Sequence, residues 1–154
     1  MKRASNWQKN MEKIMSTANE EVLVKDVMMS LGQFPVIGQT VILKAALEEM
    51  GRTNLGIACI VDDDSRLLGI LTDGDIRRKL LKVQKPFSAF FIDDALDHAI
   101  VKPITTDPGS TLKQAVILME EKQIWDLPVV SEKRELVGLL HLHPAIQVLL
   151  GLNT

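Results

Sequence analysis

Residues 69–78 read GILTDGDIRR, and the fold can be worked out from this stretch. A short apolar run leads into the polar turn Thr72–Asp75, followed by Ile76, Arg77 and Arg78. This order predicts a strand, a tight turn and the start of a helix. Unpaired N–H groups make a helix N-terminus positive, so cations in the first turn are unfavourable by about 0.3–1 kcal/mol. The two arginines therefore indicate nearby carboxylates or an anionic ligand.

The glycine that opens this stretch belongs to a repeat, because the chain matches itself at an offset of 69 residues. Met50 precedes Gly69 by 19 residues, and Met119 precedes Gly138 by the same interval. The other identical pairs are Leu43/Leu112, Lys44/Lys113, Ala46/Ala115, Val61/Val130 and Leu67/Leu136. One half has too little apolar surface to fold alone. We therefore expect two repeats packed against each other with pseudo-twofold symmetry.

Each half predicts the element order β-α-β-β-α, which makes the fold class α/β. The predicted elements are 35–37, 41–50, 57–63, 67–71 and 76–82 in the first half, and 103–105, 111–123, 127–132, 136–140 and 145–150 in the second. Thr40 and Ser110 are the predicted N-caps of the first helix in each half, and Gly51 is the predicted C-cap of the earlier one.

The expected domain plan has repeats at 23–82 and 98–154, a crossing linker at 83–97, and an N-terminal extension at 1–22. An amphipathic helix is predicted in the extension, since four residues share one helical stripe: Trp7, Met11, Ile14 and Ala18. This stripe would cover the repeat pair or dock on a partner, and covering is the preferred interpretation.

The composition narrows the class of protein. Of the 154 residues 46% are hydrophobic and 25% are charged, as in ordinary globular domains. A net charge of −2 argues against nucleic-acid binding. The apolar runs are far shorter than the roughly 20 residues of a membrane span, and the N-terminus has no signal core. The single Cys59 lies in an apolar stretch, which predicts a buried, inert thiol and suits a cytoplasmic location.

With the repeats established, the chain resembles a tandem pair of CBS domains, or Bateman module. Residues 54–78, NLGIACIVDDDSRLLGILTDGDIRR, and 126–143, DLPVVSEKRELVGLLHLH, are similar to the C-terminal CBS pair of bacterial D-arabinose-5-phosphate isomerases. Those enzymes open the route to the lipopolysaccharide sugar Kdo. TDGDIRR also occurs in sugar nucleotidyltransferases with CBS pairs, so the parent family stays open. Only about 23 residues precede the pair, and we expect neither a sugar-isomerase domain nor enzyme activity.

The resemblance implies a regulatory site in the cleft between the repeats. The expected ligand-binding residues are Thr72, Asp73, Gly74, Asp75, Arg77, Arg78, Ala58, His141 and His143. In CBS pairs the hydroxyl at the Thr72 position bonds a phosphate, and the carboxylate at the Asp75 position accepts both hydroxyls of a ribose. The implied effector is AMP, ADP or ATP, or the pathway's end product, CMP-Kdo.

The same turn also has a purely structural interpretation. Thr72 and Asp75 are spaced for a capping box, while Asp73 can pair with Arg77 and Asp75 with Arg78 along the helix. Arginines paired in this way in the empty protein would form charge-assisted hydrogen bonds with an anionic ligand when it binds.

The second half carries different residues at the matching positions, namely His141, His143 and Pro144. Pro144 suits a first helical turn but offers no carboxylate to a ribose, so we expect one competent site and one altered site. The two histidines also raise the possibility of zinc, which needs three or four ligands. The sequence offers few other residues that could bind zinc. We therefore expect that no metal binds and that both histidines line the cleft.

Two functions are therefore weighed. The leading one is a regulatory module that binds a nucleotide or nucleotide-sugar and belongs to, or is related to, an arabinose-5-phosphate isomerase. The alternative is an interaction module with a vestigial cleft, since CBS pairs commonly form homodimers. A third, an independent enzyme, has no catalytic motif behind it.

Overall fold

The computed structural model describes residues 22–152 and, ahead of them, Ser5, Asn6, Gln8, Lys9 and Glu12. The last four of these isolated residues are helical. The predicted apolar stripe, Trp7, Met11, Ile14 and Ala18, lies outside the described residues. No helix in the described part of the chain is long and apolar enough to cross a membrane.

The described chain is a mixed α/β structure of two sheets and six α-helices. The first half contains α1 Val24–Val27, β1 Met29–Ser30, β2 Val36–Gly38, α2 Leu43–Thr53, β3 Ile57–Val61, β4 Leu67–Thr72 and α3 Asp73–Lys82. The rest contains α4 Phe87–Phe91, a 3₁₀ turn Ala95–His98, β5 Ile100–Val101, α5 Leu112–Lys122, β6 Asp126–Val130, β7 Leu136–His141 and α6 Leu142–Leu149. The predicted α/β class with two related repeats is confirmed.

Each sheet is completed by a strand from the other half of the chain. The sheets have the orders β2-β3-β4-β5 and β1-β7-β6. Strand β1 pairs antiparallel with β7, placing Met29 opposite Leu139. Strand β5 pairs antiparallel with β4, placing Val101 opposite Gly69. We call residues 22–30 and 93–101 the first and second lead-in segments. Each packs on the repeat that it does not precede.

The hydrophobic cores of the two repeats show the same exchange, because each contains a side chain from the segment that precedes the other repeat. Val24 of the first lead-in segment is fully buried among the residues of α5, β6, β7 and α6. Phe90, just ahead of the second lead-in segment, is 1% exposed in the core formed by α2, β3, β4 and α3. Because apolar burial is the main favourable contribution to folding, each repeat depends on the exchanged segment for its stability.

The exchanged segments also supply hydrogen-bond acceptors to N–H groups at helix N-termini. The observed N-caps differ from the predicted ones. Helix α2 begins after Ile42, with no side-chain cap, and the Leu43 N–H donates to the Asp93 carbonyl at 2.8 Å. Helix α5 begins after Thr111, which forms a capping box with Gln114. The predictions of Thr40 and Ser110 as N-caps are therefore wrong. A partner from a distant segment replaces the local cap in α2, and Thr111 lies one residue nearer the helix in α5.

Two glycines at equivalent positions permit the close approach of the exchanged strands. A Cβ on Gly69 would lie 2.8 Å from the Ile100 carbonyl oxygen. A Cβ on Gly138 would lie 2.5 Å from the Met28 sulfur and 2.8 Å from the Met29 carbonyl oxygen. The identity of these glycines across the repeats thus has a packing cause.

The repeats meet at their hairpin tips, around the pseudo-twofold axis. The Leu67 N–H donates to the Arg134 carbonyl at 3.0 Å, and the equivalent Leu136 N–H donates to the Ser65 carbonyl at 2.9 Å. A hydrophobic seam lies between the two sheets, formed by Phe34, Ile57, Cys59, Leu67, Val130, Leu136 and Leu139. Cys59 is fully buried there, and burial raises its thiol pKa to about 12. The predicted burial of the thiol is confirmed, and its raised pKa disfavours the reactive thiolate.

Two further local predictions are wrong. Residues 103–105 form no strand, and the next bridge along the chain is a parallel one between Thr106 and Val129. The pairing is made by Thr106, whose N–H donates to the Pro128 carbonyl at 3.0 Å and whose carbonyl accepts the Val130 N–H at 2.9 Å, so it begins after the predicted residues. Gly51 lies inside α2, which ends at Thr53, and the C-cap is instead Asn54, whose φ of 56° is left-handed. Asn tolerates that conformation better than most residues.

Candidate functional site

The turn between β4 and α3 brings a hydroxyl and a carboxylate together. Thr72 is the last residue of β4 and the N-cap of α3, and its Oγ1 accepts the Asp75 N–H at 3.3 Å. The same hydroxyl donates to Asp75 Oδ2 at 2.6 Å. A cap of this kind stabilises a helix by about 1 kcal/mol. The predicted cap is present, although the carboxylate bonds the hydroxyl rather than the Thr72 N–H of a full capping box.

The second oxygen of Asp75 is also engaged. Arg78 Nη2 donates to Asp75 Oδ1 at 2.7 Å, which confirms the predicted i,i+3 pair. The Asp75 side chain is only 16% exposed, whereas that of Arg78 is 58% exposed. The pair is therefore solvated on one side and stabilises the fold by no more than about 0.2–1 kcal/mol. Both carboxylate oxygens of Asp75 thus have a partner in the protein.

The other residues predicted for this site are placed differently from one another. Asp73 lies against Gly56, where an added Cβ would be 2.7 Å from Asp73 Oδ2. The predicted Asp73–Arg77 ion pair is absent, within the described residues, and Arg77 is exposed. Ala58 is fully buried in the core of the first repeat, so its side chain offers no surface to a ligand.

Gly74 has a role that its sequence position does not reveal. A Cβ at Gly74 would lie 3.2 Å from both terminal nitrogens of Arg78. Its backbone is outside the left-handed region. The absence of a side chain therefore leaves space for the Arg78 guanidinium over the turn.

The equivalent end of the second repeat is built differently. His141 is the N-cap of α6 but makes no side-chain cap. Pro144 stands at the position of Asp75 and has no N–H that would need one. His141 is thereby free to pair elsewhere, and its Nδ1 lies 2.7 Å from Asp126 Oδ1. His143 is exposed in the first turn of α6.

Asp126 is the residue that sequence reasoning missed. It occupies the place of Ile57 in the first repeat, and its side chain is 14% exposed. Burial raises the pKa of its carboxyl, against a smaller lowering by the hydrogen bond and charge of His141. Its charge also adds to the raised pKa of the Cys59 thiol, for which burial is the larger cause. One signal in the sequence could have identified Asp126. When the two halves are aligned, its carboxylate stands where the first half has an apolar residue.

The structure offers little support for a metal at the histidines. No group of three or more His, Cys, Asp or Glu side chains that could hold an ion occurs within the described residues. His98, a conceivable third ligand, instead bonds Asp93 through Nε2 at 2.8 Å.

Comparison with known proteins identifies the architecture. The model of the CBS domain family matches residues 24–82 and 96–143. The arabinose 5-phosphate isomerase KdsD of Escherichia coli K12 is 31% identical over 124 residues, covering 80% of this chain and 36% of the enzyme. The chain thus spans about a third of the length of such curated relatives.

Two solved structures share the fold. CBSX2 of Arabidopsis thaliana, in complex with AMP, has a TM-score of 0.75 and 23% identity, covering 85% of this chain and 98% of that one. The CBS domain pair of MJ0100, in complex with 5′-methylthioadenosine and S-adenosyl-L-methionine, has a TM-score of 0.71 and 22% identity, covering 86% and 98%. The predicted resemblance is confirmed: the chain belongs to the CBS domain family, as a tandem pair that forms a regulatory module.

Proposed function

We propose that this module binds a nucleotide or nucleotide-sugar at the turn formed by Thr72 and Asp75. The ribose would lie against the Asp75 carboxylate, and a phosphate would lie near the Thr72 hydroxyl and the N-terminus of α3. Free N–H groups and the helix dipole favour an anion at that end. Binding would change the arrangement of the two repeats and so regulate an attached or associated enzyme.

The observation that carries the proposal is the preorganised pair of Thr72 and Asp75. Their side chains are held 2.6 Å apart at a helix N-terminus, and Asp75 is mostly buried but not closed off. A fixed carboxylate can accept both hydroxyls of a vicinal diol without the entropic cost of ordering a flexible side chain. Related pairs with AMP or with adenosine-containing ligands support this ligand class.

The second repeat contributes an altered site at best. His141 and Asp126 are bonded to each other, and Pro144 supplies no carboxylate for a diol. We therefore assign one nucleotide to each chain. The likeness to KdsD over 80% of the chain supports a link to an arabinose-5-phosphate isomerase and makes CMP-Kdo a second effector class to test.

The experiment is a thermal-shift panel with AMP, ADP, ATP, CMP, CMP-Kdo and arabinose 5-phosphate. A ligand at a hundred times its Kd adds about 2.7 kcal/mol of stability. For a chain of this size the melting temperature then rises by roughly 5–11 °C. We expect this rise with one nucleotide class in the wild type and in Asp63→Asn, an exposed hairpin residue with the same charge change. Asp75→Asn should abolish it, and a shift that survives Asp75→Asn would contradict the proposed site.

An interaction module is the second candidate, favoured by three exposed apolar side chains in one short stretch of the sequence. Leu81, Phe87 and Ile92 are 85%, 63% and 66% exposed within twelve residues of chain. Exposed apolar patches often mark protein interfaces. On this proposal the chain is a homodimer, and Leu81→Glu converts it to a monomer in sedimentation velocity, whereas Leu31→Glu does not. A wild type that sediments as a monomer at high concentration would refute it.

A further inference from the structure

We propose that a second ligand site lies at the hairpin tips, where it binds an organic anion that carries its charge on an apolar body. This site goes beyond the proposed nucleotide site, because it lies at the other end of β4. Leu67 begins this strand and Thr72 ends it, so the two ends are roughly 17 Å apart. The site is a cavity of about 560 Å³, lined by Leu67, Leu68, Val101, Lys102, Pro103 and Arg134.

The lining of this cavity combines two cations with apolar side chains, and none of the lining residues is acidic. Lys102 and Arg134 are exposed, and in the part of the chain that the structure describes neither pairs with a carboxylate. Small-molecule sites are commonly apolar cavities of about 300–1,000 Å³ with a few polar or charged groups. A guanidinium matches the oxygens of a carboxylate or a phosphate. The lining therefore fits a carboxylate or phosphate ester with an apolar body.

The cavity is built from three segments that meet only in the folded chain. Leu67 and Leu68 begin β4 of the first repeat, Val101 ends the second lead-in segment, and Arg134 lies in the hairpin turn of the second repeat. The Leu67 N–H donates to the Arg134 carbonyl at 3.0 Å, which holds the Arg134 backbone beside the cavity. A ligand bound there contacts both repeats, so its affinity depends on how the repeats are arranged.

The pseudo-twofold symmetry supplies a comparison, because the related place on the other side carries no cation. Arg134 corresponds to Ser65 at the 69-residue offset, and both are left-handed, with φ of 63° and 64°. Lys102 corresponds to Leu31, since each follows the lead-in strand that pairs with the equivalent glycine. The hairpin turn therefore forms without arginine, and the end of the lead-in strand forms without lysine. Because the fold requires neither cation, we assign both to an anionic ligand.

The experiment uses three probes with the same apolar body: 1-naphthyl phosphate, 1-naphthoate and the neutral 1-naphthol. Each is titrated by calorimetry into the full chain. The two anions distinguish a phosphate from a carboxylate head group, and 1-naphthol measures the apolar contact alone. We expect at least one anion to bind the wild type about tenfold more tightly than 1-naphthol, as charge-assisted hydrogen bonds would provide.

The test variants are Arg134→Gln and Lys102→Gln, and Lys133→Gln is the matched control. Glutamine removes the charge but keeps a long side chain, and Gln123 already adopts a left-handed φ of 56° in this chain. Lys133 is exposed in the same hairpin turn as Arg134 but does not line the cavity. Each test variant should weaken the anion about five- to tenfold and change 1-naphthol less than about twofold. Lys133→Gln should leave all three affinities within about twofold of the wild type.

Four results would overturn the inference. The first is that neither anion binds, and the second is that the anions bind no more tightly than 1-naphthol. The third is that Lys133→Gln weakens the anion as much as Arg134→Gln, since net charge would then be responsible. The fourth is that Asp75→Asn weakens it equally, which would place the anion at the proposed nucleotide site. The proposed function is tested separately, by the melting-temperature shift with nucleotides.

Discussion

The two repeats place different chemistry at the same structural position. In the first, the carboxylate sits on the helix as Asp75 and bonds a strand hydroxyl. In the second, the carboxylate sits on the strand as Asp126 and bonds the imidazole of His141. Position 144 is proline, which has no N–H that a cap would serve. The comparison teaches that the same turn of the fold can be held by two different sets of hydrogen bonds, and that the carboxylate can lie on the helix or on the strand.

The largest effect should come from removing a side chain that one half supplies to the other. Phe90→Ala empties a fully packed position in the core of the first repeat, where Phe90 is 1% exposed. Loss of a buried Phe costs about 3–5 kcal/mol, so we expect a loss of this size in urea unfolding. Phe87→Ala, at 63% exposure on the same helix, should cost less than about 1 kcal/mol. Equal losses of unfolding free energy in the two variants would contradict the burial of Phe90 in the core of the first repeat.

A somewhat smaller effect should follow from closing the approach of the first lead-in segment. Gly138→Ala places a methyl 2.5 Å from the Met28 sulfur and 2.8 Å from the Met29 carbonyl oxygen. Forced overpacking costs about 1–3 kcal/mol, which thermal unfolding would record. Gly51→Ala is the control, because it lies inside α2 with nothing within 4 Å. It should stabilise the chain by about 0.5–1 kcal/mol.

The cap of α3 should contribute about 1 kcal/mol. Thr72→Ala removes the acceptor of the Asp75 N–H, so chemical denaturation should show a loss of about that size. The comparison with the second repeat sharpens this expectation. In the double variant Thr72→Ala, Asp75→Pro, no N–H is left uncapped at that position, and the loss should be smaller than in the single variant. A larger loss would show that proline does not compensate for the missing cap.

The smallest effects are on pH dependence, where two carboxylates should act in opposite directions. Burial raises the pKa of Asp126, so the folded chain keeps that proton to higher pH than the unfolded chain. Its ionisation therefore lowers the unfolding free energy as pH rises through and just above the usual carboxyl range. Hydrogen bonds from Lys85 and His98 lower the pKa of Asp93, so its stabilisation is present at neutral pH and lost on acidification.

The Asn variants test these signs through melting temperatures measured between about pH 3 and pH 7. Relative to wild type, Asp126→Asn should gain stability as pH rises, and Asp93→Asn should lose it. The same slope in both variants would contradict the assignment.

The repeat and the capped turn could be predicted from the sequence because both are local or periodic. The 69-residue offset predicted the two repeats, the apolar patterns within each predicted the α/β class, and the spacing of Thr72, Asp75 and Arg78 predicted their contacts. The exchange of lead-in segments could not be predicted, since an apolar pattern marks Val24 as buried without saying in which core. The pair of Asp126 and His141 was missed because it joins residues 15 apart across a strand pair, where no helical spacing applies.

The exchange has a consequence for the order of folding. Met29 pairs with Leu139, so about 110 residues must be synthesised between the two strands before their ladder can form. Contacts so distant in sequence slow folding, because the loop must be closed before the pairing stabilises it. The sheet of the second repeat is therefore completed late, whereas β5 can join β4 once residue 101 is made. During translation the first lead-in segment waits unpaired, and its apolar residues are the part of the chain that a chaperone would have to protect.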